Sequence, residues 1–270
     1  MNKKVKIGFI GCGKMASAII KGGVSSNFLE PENICASEIS EEFANKKKNE
    51  LKIKVFTDNN KVVQNSDVIF LATKPNYIKD VLKEVKTDLN KDKVIVSIAA
   101  GISTKTIEDE IGFEISVIRV MPNAPAMILE GMSGIARGKF AKDEQVDFIK
   151  EFLSKIGKCI IVEEDKIDIL TAISGSGPAF FYKTINDIAR AGEKLGLEYE
   201  KALLLSIQTA IGSAKLMLES DLSPEELIAD IATKGGCTQV GVDFMENANL
   251  KELFFETIKK TAQKAQELGG

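Results

Sequence analysis

Two glycines separated by one residue, with a small residue three positions later, are the first feature of this sequence able to hold a ligand. Gly11-Cys12-Gly13-Lys14-Met15-Ala16 follows the apolar residues Val5, Ile7, Phe9 and Ile10 and precedes a helix-permissive segment. That is the G-x-G-x-x-G/A pattern in a strand, turn and helix context. Gly11 permits the sharp turn, Gly13 removes the side chain that would keep a pyrophosphate away, and Ala16 lets the helix lie close to its strand. A diphosphate would then meet the unpaired N–H groups and positive end of the helix. Glu38 lies about 20 residues beyond the fingerprint, where a carboxylate accepts hydrogen bonds from an adenosine ribose. It would also repel a 2′-phosphate, which favours NADH over NADPH. The alternative is that Glu38 opens the next helix beside Glu41 and Glu42.

Two more glycine-rich segments carry hydroxyls: Ser174-Gly175-Ser176-Gly177-Pro178 and Thr233-Lys234-Gly235-Gly236-Cys237-Thr238. Each offers hydroxyl and backbone N–H groups at a helix start, a cradle for the carboxylate of a small anionic substrate. Each can also be a cap or a helix joint. The chain has no histidine. A Ser-His-Asp triad, a Cys-His pair and a His-ligated metal are therefore excluded, and proton chemistry falls to Lys, Tyr, Ser, Thr, Cys or carboxylates. Cys12, Cys35, Cys159 and Cys237 lack C-x-x-C or metal-ligand spacing, so neither a metal site nor a disulfide framework is expected.

Placing these groups requires strands that end where they begin. Strand candidates are Asn33 to Ser37, Leu51 to Phe56, Asp67 to Ala72, Val94 to Ile98 and Val117 to Val120, separated by helix-patterned segments such as Asn76 to Val85 and Thr104 to Ile111. The continuous apolar core of Asp67 to Ala72 suits a parallel strand covered on both faces. Strands alternating with helices imply an α/β fold with a Rossmann-type, doubly wound, mostly parallel sheet. Its carboxyl edge would carry the cofactor on Gly11 to Ala16, Ser37, Glu38, Ala72, Thr73, Lys74 and Pro75. Cys159 to Val162 is a last short strand candidate, and beyond Glu163 the periodicity is mostly helical. The expected division is a dinucleotide-binding domain over 1–162 and an all-α dimerisation and substrate domain over 163–270. Ile185, Ile188, Ala189, Gly192 and Leu195 mark one helix face. In the next helix, Leu203, Ala210 and Met217 form one stripe, with Leu204, Ile207, Ile211, Ala214 and Leu218 beside it. A helix apolar over so much of its circumference is covered on more than one side, and a second copy of the chain is the expected cover.

The chain has 270 residues, 44% hydrophobic and 28% charged, with a net charge of -3. Charges of both signs are interspersed, which gives no footprint for nucleic acid or an anionic membrane. Lys46-Lys47-Lys48 reads as a solvated helix face. Lys3 and Lys4 precede an apolar run broken by Gly8, so no targeting signal is expected, and no apolar stretch reads as long enough to span a bilayer. The expected location is the cytoplasm.

The chain resembles pyrroline-5-carboxylate reductases, which form proline from 1-pyrroline-5-carboxylate, over essentially its full length. The resemblance rests on IGFIGCGKMASAI (Ile7 to Ile19), FLATKP (Phe70 to Pro75), SIAAGI (Ser97 to Ile102), IRVMPNAP (Ile118 to Pro125), SGSGPAF (Ser174 to Phe180) and GGCTQVG (Gly235 to Gly241). Lys234 departs from it, standing where the family usually has proline before the paired glycines. The resemblance implies NADH or NADPH as cofactor, with Asn60, Lys74, Pro75, Ala99 and Ala100 around it. The imine would sit between the nicotinamide and the loop Gly235, Gly236, Cys237 and Thr238, with Ser174 and Ser176 shaping its pocket. Thr238 would orient the imine or give it a proton. The resemblance also implies dimers that can associate further, to decamers. Two other readings stand beside it. In 3-hydroxy acid dehydrogenases a lysine and an asparagine follow a glycine-rich segment on one helix face, as Lys183 and Asn186 do here. A noncatalytic nucleotide-sensing module would use only the first glycine turn.

Overall fold

The computed structural model of the chain describes residues 5–267; Lys3 and Lys4 lie outside that range. Short apolar runs that break at glycine, serine or alanine make the first half a repeat of strand and helix. In order these are β1 (Ile7–Ile10), α1 (Lys14–Ser25), β2 (Ile34–Ser37), α2 (Glu41–Leu51), β3 (Lys54–Phe56), α3 (Asn59–Gln64), β4 (Val68–Leu71), α4 (Ile78–Val85), β5 (Val94–Ser97), α5 (Thr104–Ile111) and β6 (Ser116–Met121). These six strands are parallel, in the order β3-β2-β1-β4-β5-β6. β7 (Gly131–Arg137) then runs antiparallel to β6, and after α6 (Asp143–Leu153), β8 (Gly157–Ile161) closes the sheet parallel to β7. The fold is the expected doubly wound, mostly parallel sheet followed by helices. Chain direction across the sheet reverses between β1 and β4, which makes their carboxyl ends the topological switch point where ligands of such sheets bind.

The unalternating pattern of β4 has a direct cause. Val68 and Phe70 enter one apolar layer with Phe9, Ile19, Ile20 and Phe152, whereas Ile69 and Leu71 enter the other with Ile78, Leu82 and Ile107. Phe9 stacks on Phe70 at 4.6 Å between ring centroids, and Phe152 meets Phe70 edge-on at 5.9 Å. Such pairs contribute about 0.5–1.5 kcal/mol each beyond their buried area.

Three local expectations are corrected. The strand sought from Leu51 begins only at Lys54, because Leu51 is the last residue of α2 and Lys52 caps that helix in the left-handed region at φ 57°. The strand sought from Cys159 begins at Gly157. β7 was not expected at all, since Gly131 and Gly134 interrupt its apolar pattern.

Compactness divides the chain into one unit that ends at Ser176 and also takes in the residues from Lys260, and a second unit, Gly177–Lys259. α7 (Ile167–Leu170) and the π-helical turn Thr171–Gly175 belong to the first. The side chain of Leu170 fills the space over Gly134 of β7.

In the second unit, α8 (Gly177–Lys194) pairs with α9 (Tyr199–Glu219), and Ala189 and Ala202 are buried. α10 (Pro224–Ile231) and α11 (Cys237–Asn247) follow, and α12 (Leu250–Glu267) begins here. Within one chain α9 buries Ala202 alone, leaving Leu204 67% and Leu218 69% exposed. By length and composition α9 is also long and apolar enough to cross a membrane, which corrects the expectation that no stretch is.

Candidate active site

At the switch point the chain is bent by one residue that must be glycine. Gly11 has φ +89°, and a Cβ on it would lie 2.9 Å from the Ala72 carbonyl oxygen and 3.0 Å from Thr73 Cγ2. The Ala72 N–H donates to the Ile10 carbonyl at 2.9 Å, so the ends of β1 and β4 are locked together behind the turn. Gly13 then starts α1 with no side-chain cap, and nothing lies within 4 Å of where its Cβ would be. Ser40, Asp58, Ser103 and Ser223 each cap their helices through a side-chain oxygen. In α1 the first helical bond is from the Ser17 N–H to the Gly13 carbonyl at 2.9 Å, so the N–H groups of Lys14, Met15 and Ala16 face forward as anion donors.

Around this opening stand most of the residues expected there. Ser37, at the end of β2, donates to Asn59 Oδ1 at 2.6 Å and accepts from the Gly11 N–H at 3.4 Å. Asn59 in turn donates to Glu84 at 2.9 Å. Glu38 follows Ser37, with its N–H on the Phe56 carbonyl, and its carboxylate has no partner among the described residues. α2 starts at Glu41 behind the Ser40 cap. Glu38 therefore stands outside the helix, and Glu41 and Glu42 form its acidic first turn. Ala72, Thr73, Lys74 and Pro75 leave the end of β4, and Ala99 and Ala100 leave the end of β5, where the Ala99 N–H donates to Ser97 Oγ at 3.3 Å. Asn60 is placed apart: its amide lies against Asp88 at 2.9 Å and the Glu84 carbonyl at 3.3 Å, so its neighbour Asn59 is the one that meets Ser37.

A dinucleotide fits this edge on two counts. The space in front of Gly13 is open. Thr73 Oγ1 is a buried hydroxyl oxygen with no hydrogen-bond partner among the described residues, and buried polar atoms of folded proteins rarely go without one. Burial pushes the Cys12 thiol up to about 11, far from the thiolate that would react.

The serine segment is pinned within the first unit. Thr171–Gly175 is a π turn closed by the Ser176 N–H on the Thr171 carbonyl at 2.8 Å, a distortion frequent at functional sites. Ser174 Oγ donates to the Leu170 carbonyl at 3.0 Å, leaving it only acceptor capacity, while the Ser176 hydroxyl has no partner among the described residues. Asn123, buried just past β6, donates to the Ser174 carbonyl at 3.0 Å and accepts from the Met132 N–H at 2.8 Å. Sequence reasoning gave Asn123 no role. Its neighbourhood in MPNAP was the available signal.

In the second unit, Gly235 takes φ +78°, and the Gly236 N–H closes a turn on the Thr233 carbonyl at 2.9 Å. Gly236 then starts α11 without a side-chain cap. Because its own N–H is used, the free donors at this helix start are those of Cys237, Thr238 and Gln239. Lys234 is exposed beside them. Lys183 and Asn186 are both engaged elsewhere: Lys183 pairs with Asp187 at 2.8 Å, and Asn186 accepts from Tyr199 Oη at 2.9 Å. Among the described residues no three His, Cys, Asp or Glu side chains gather into a metal-binding group.

Two family models match different parts of the chain. The pyrroline-5-carboxylate reductase dimerisation family matches residues 164–268, and a family described as coenzyme F420-dependent NADP oxidoreductase matches residues 6–101. The chain is 38% identical to pyrroline-5-carboxylate reductase of Methanosarcina acetivorans, over 98% of each. The solved pyrroline-5-carboxylate reductase of Coxiella burnetii superposes with a TM-score of 0.93 at 32% identity, covering 98% of this chain and 99% of that one. Pyrroline carboxylate reductase of Plasmodium falciparum, solved with NADP bound, superposes with 0.88 at 28% identity over 99% of each chain. With kinship of that extent over both the nucleotide edge and the helical half, the chain belongs to the pyrroline-5-carboxylate reductase family.

Proposed function

We propose that this chain reduces 1-pyrroline-5-carboxylate to L-proline, the last step of proline synthesis, with NADH or NADPH as reductant. The observation that carries this reading is the open, uncapped helix start at Gly13, together with a Thr73 hydroxyl that has no partner among the described residues, in a chain akin to the reductases along its whole length. The diphosphate would rest on the N–H groups of Lys14, Met15 and Ala16. Ser37 and Glu38 would meet the adenosine ribose, and the stretches Ala72 to Pro75 and Ala99 to Ala100 would guide the nicotinamide. When bound, the dihydronicotinamide supplies a hydride.

The chain's own residues bind and orient. The N–H groups of Cys237 and Thr238 would hold the substrate carboxylate at the start of α11, and the Thr238 hydroxyl would hydrogen-bond the ring nitrogen. A threonine hydroxyl is a weak acid. An imine can arrive already protonated, so a chain without histidine needs only to place and desolvate it. Ser176 would offer its free hydroxyl and Ser174 its acceptor lone pairs to the rest of the pocket. Cofactor binding is assigned to 1–162 and substrate binding with dimerisation to 163–270, the working oligomer being a homodimer that can assemble further into a decamer.

The test is absorbance at the nicotinamide band on mixing protein, reduced coenzyme and racemic pyrroline-5-carboxylate. Steady loss is expected, and no loss with either NADH or NADPH defeats the reading. Thr238→Ala should lower kcat by about tenfold or more while leaving coenzyme affinity unchanged, as removal of a single orienting hydrogen bond does. Lys183→Ala should turn over normally, since its ammonium is spent on an exposed pair with Asp187.

A further inference from the structure

Arg119 interrupts the apolar strand β6 and, among the described residues, is the one charged side chain that is buried, at 6% exposure. A guanidinium does not lose its proton in a protein, so burial obliges it to find anions. It finds two, four residues apart on one short segment: Nη2 donates to Asp168 Oδ1 at 3.2 Å, and Nη1 lies 3.5 Å from Glu164 Oε1. Glu164 is itself held at both oxygens by the first residue of α5, accepting from the Thr104 N–H at 2.7 Å and from Thr104 Oγ1 at 2.5 Å. Thr104 follows directly on the loop that carries Ala99 and Ala100. At the far end of the same segment, Met121 faces Gly175, and Asn123 holds the Ser174 carbonyl. β6 and the residues just past it thus grip the stretch from Glu164 to Ser176 at both ends, and the contact at the Glu164 end also reaches Thr104, next to the loop that carries Ala99 and Ala100.

We propose that Arg119 is a positioning residue for substrate: through Glu164 and Asp168 it sets the place of the Ser174–Ser176 turn relative to the Ala99–Ala100 edge. The inference rests on the reductase reading above. A flat fork can serve two carboxylates at once, whereas a lysine ammonium is a point charge with shorter reach. Removing the cation leaves Glu164 and Asp168 facing each other with no cation between them. Both side chains are about a quarter exposed (26% and 27%) and can swing toward water, carrying the turn with them.

The experiment compares Arg119→Met, Arg119→Lys and Asp168→Asn with the unaltered protein, measuring melting temperature, NADH affinity by fluorescence and separate kcat and KM values for pyrroline-5-carboxylate. Arg119→Met should leave NADH affinity within about twofold and lower kcat/KM for the imine by about ten- to a hundredfold, mostly through KM, as a misplacement near 1 Å does. Arg119→Lys should recover part of that loss, and Asp168→Asn should show a smaller loss in the same direction. A lower melting temperature with imine kcat and KM unchanged makes Arg119 purely structural and overturns the proposal. So does an equal loss of NADH affinity. If Arg119→Met does not fold, Arg119→Lys and Asp168→Asn decide by the same criteria. Failure of the unaltered protein to turn over the imine defeats the reductase reading first, and this inference with it, before any variant is made.

Discussion

A methyl group placed on Gly13 meets no protein atom within 4 Å, and the backbone there, at φ -68°, suits any residue. It would stand only in the way of a diphosphate. Gly13→Ala should therefore melt like the unaltered protein and bind NADH about tenfold or more weakly, a loss of about 1.4 kcal/mol or more. Unchanged affinity in a fluorescence titration would make the turn a structural joint. Gly11→Ala should instead cost stability, by about 1–2 kcal/mol for the left-handed backbone alone, because its Cβ also collides with Ala72. The unpartnered carboxylate of Glu38 predicts a larger kcat/KM for NADH than for NADPH, and Glu38→Gln should narrow the gap; a preference for NADPH in the unaltered protein rejects that role. The glycine turn was readable in sequence because strand, turn and helix are contiguous. Arg119, Asn123 and the choice of Asn59 over Asn60 were not, because their partners lie 49, 51 and 22 residues away and only the folded sheet brings them together.

Among the elements, α1 does two jobs: its first turn opens toward the cofactor edge, and its last turns pack on the core without a gap. A Cβ on Gly22 would lie 2.1 Å from Ile156 Cγ2, on a β-branched side chain that is itself buried and has little room to give. Alanine gains about 1 kcal/mol in helix propensity, yet overpacking a closed core costs about 1–3 kcal/mol. Gly22→Ala should thus lower the urea midpoint, and it should weaken NADH binding only if the shift travels along the helix to Gly13. An unchanged or raised midpoint would mean that Ile156 moves aside freely. The same physics decided which elements could be read in advance. β4 and β5 are buried on both faces and show it as unbroken apolar runs, and α4 and α5 show one apolar stripe each. β7 hides because Gly131 and Gly134 stand where side chains would reveal a period, their places being taken by Ile156 backbone, Ala126 and Leu170. β3 starts late because Lys52 extends the preceding helix by a left-handed cap that no periodicity announces.

For the whole molecule, the decisive quantity is the apolar surface of the helical unit. α9 has one buried residue in the isolated chain, with Leu204, Leu205, Leu216, Met217 and Leu218 each at least half exposed or close to it. Exposed apolar area on this scale marks an interaction surface. Its length and composition also permit a bilayer-spanning helix, and its charges, Glu200, Lys201, Lys215 and Glu219, lie toward its two ends. The matched dimerisation family covers the same residues, so a second copy is the cover that fits. Light scattering at micromolar concentration should give at least twice the mass of one chain, and the melting temperature should rise with protein concentration, as it does for a folded state coupled to assembly. Leu204→Lys, which places a cation on that face without touching the nucleotide edge, should shift the mass toward one chain and lower the melting temperature, leaving the intrinsic NADH affinity of the first unit measurable. A single-chain mass in the unaltered protein with full turnover would remove the dimer from the account of activity. Flotation with lipid vesicles would assign α9 to a membrane instead.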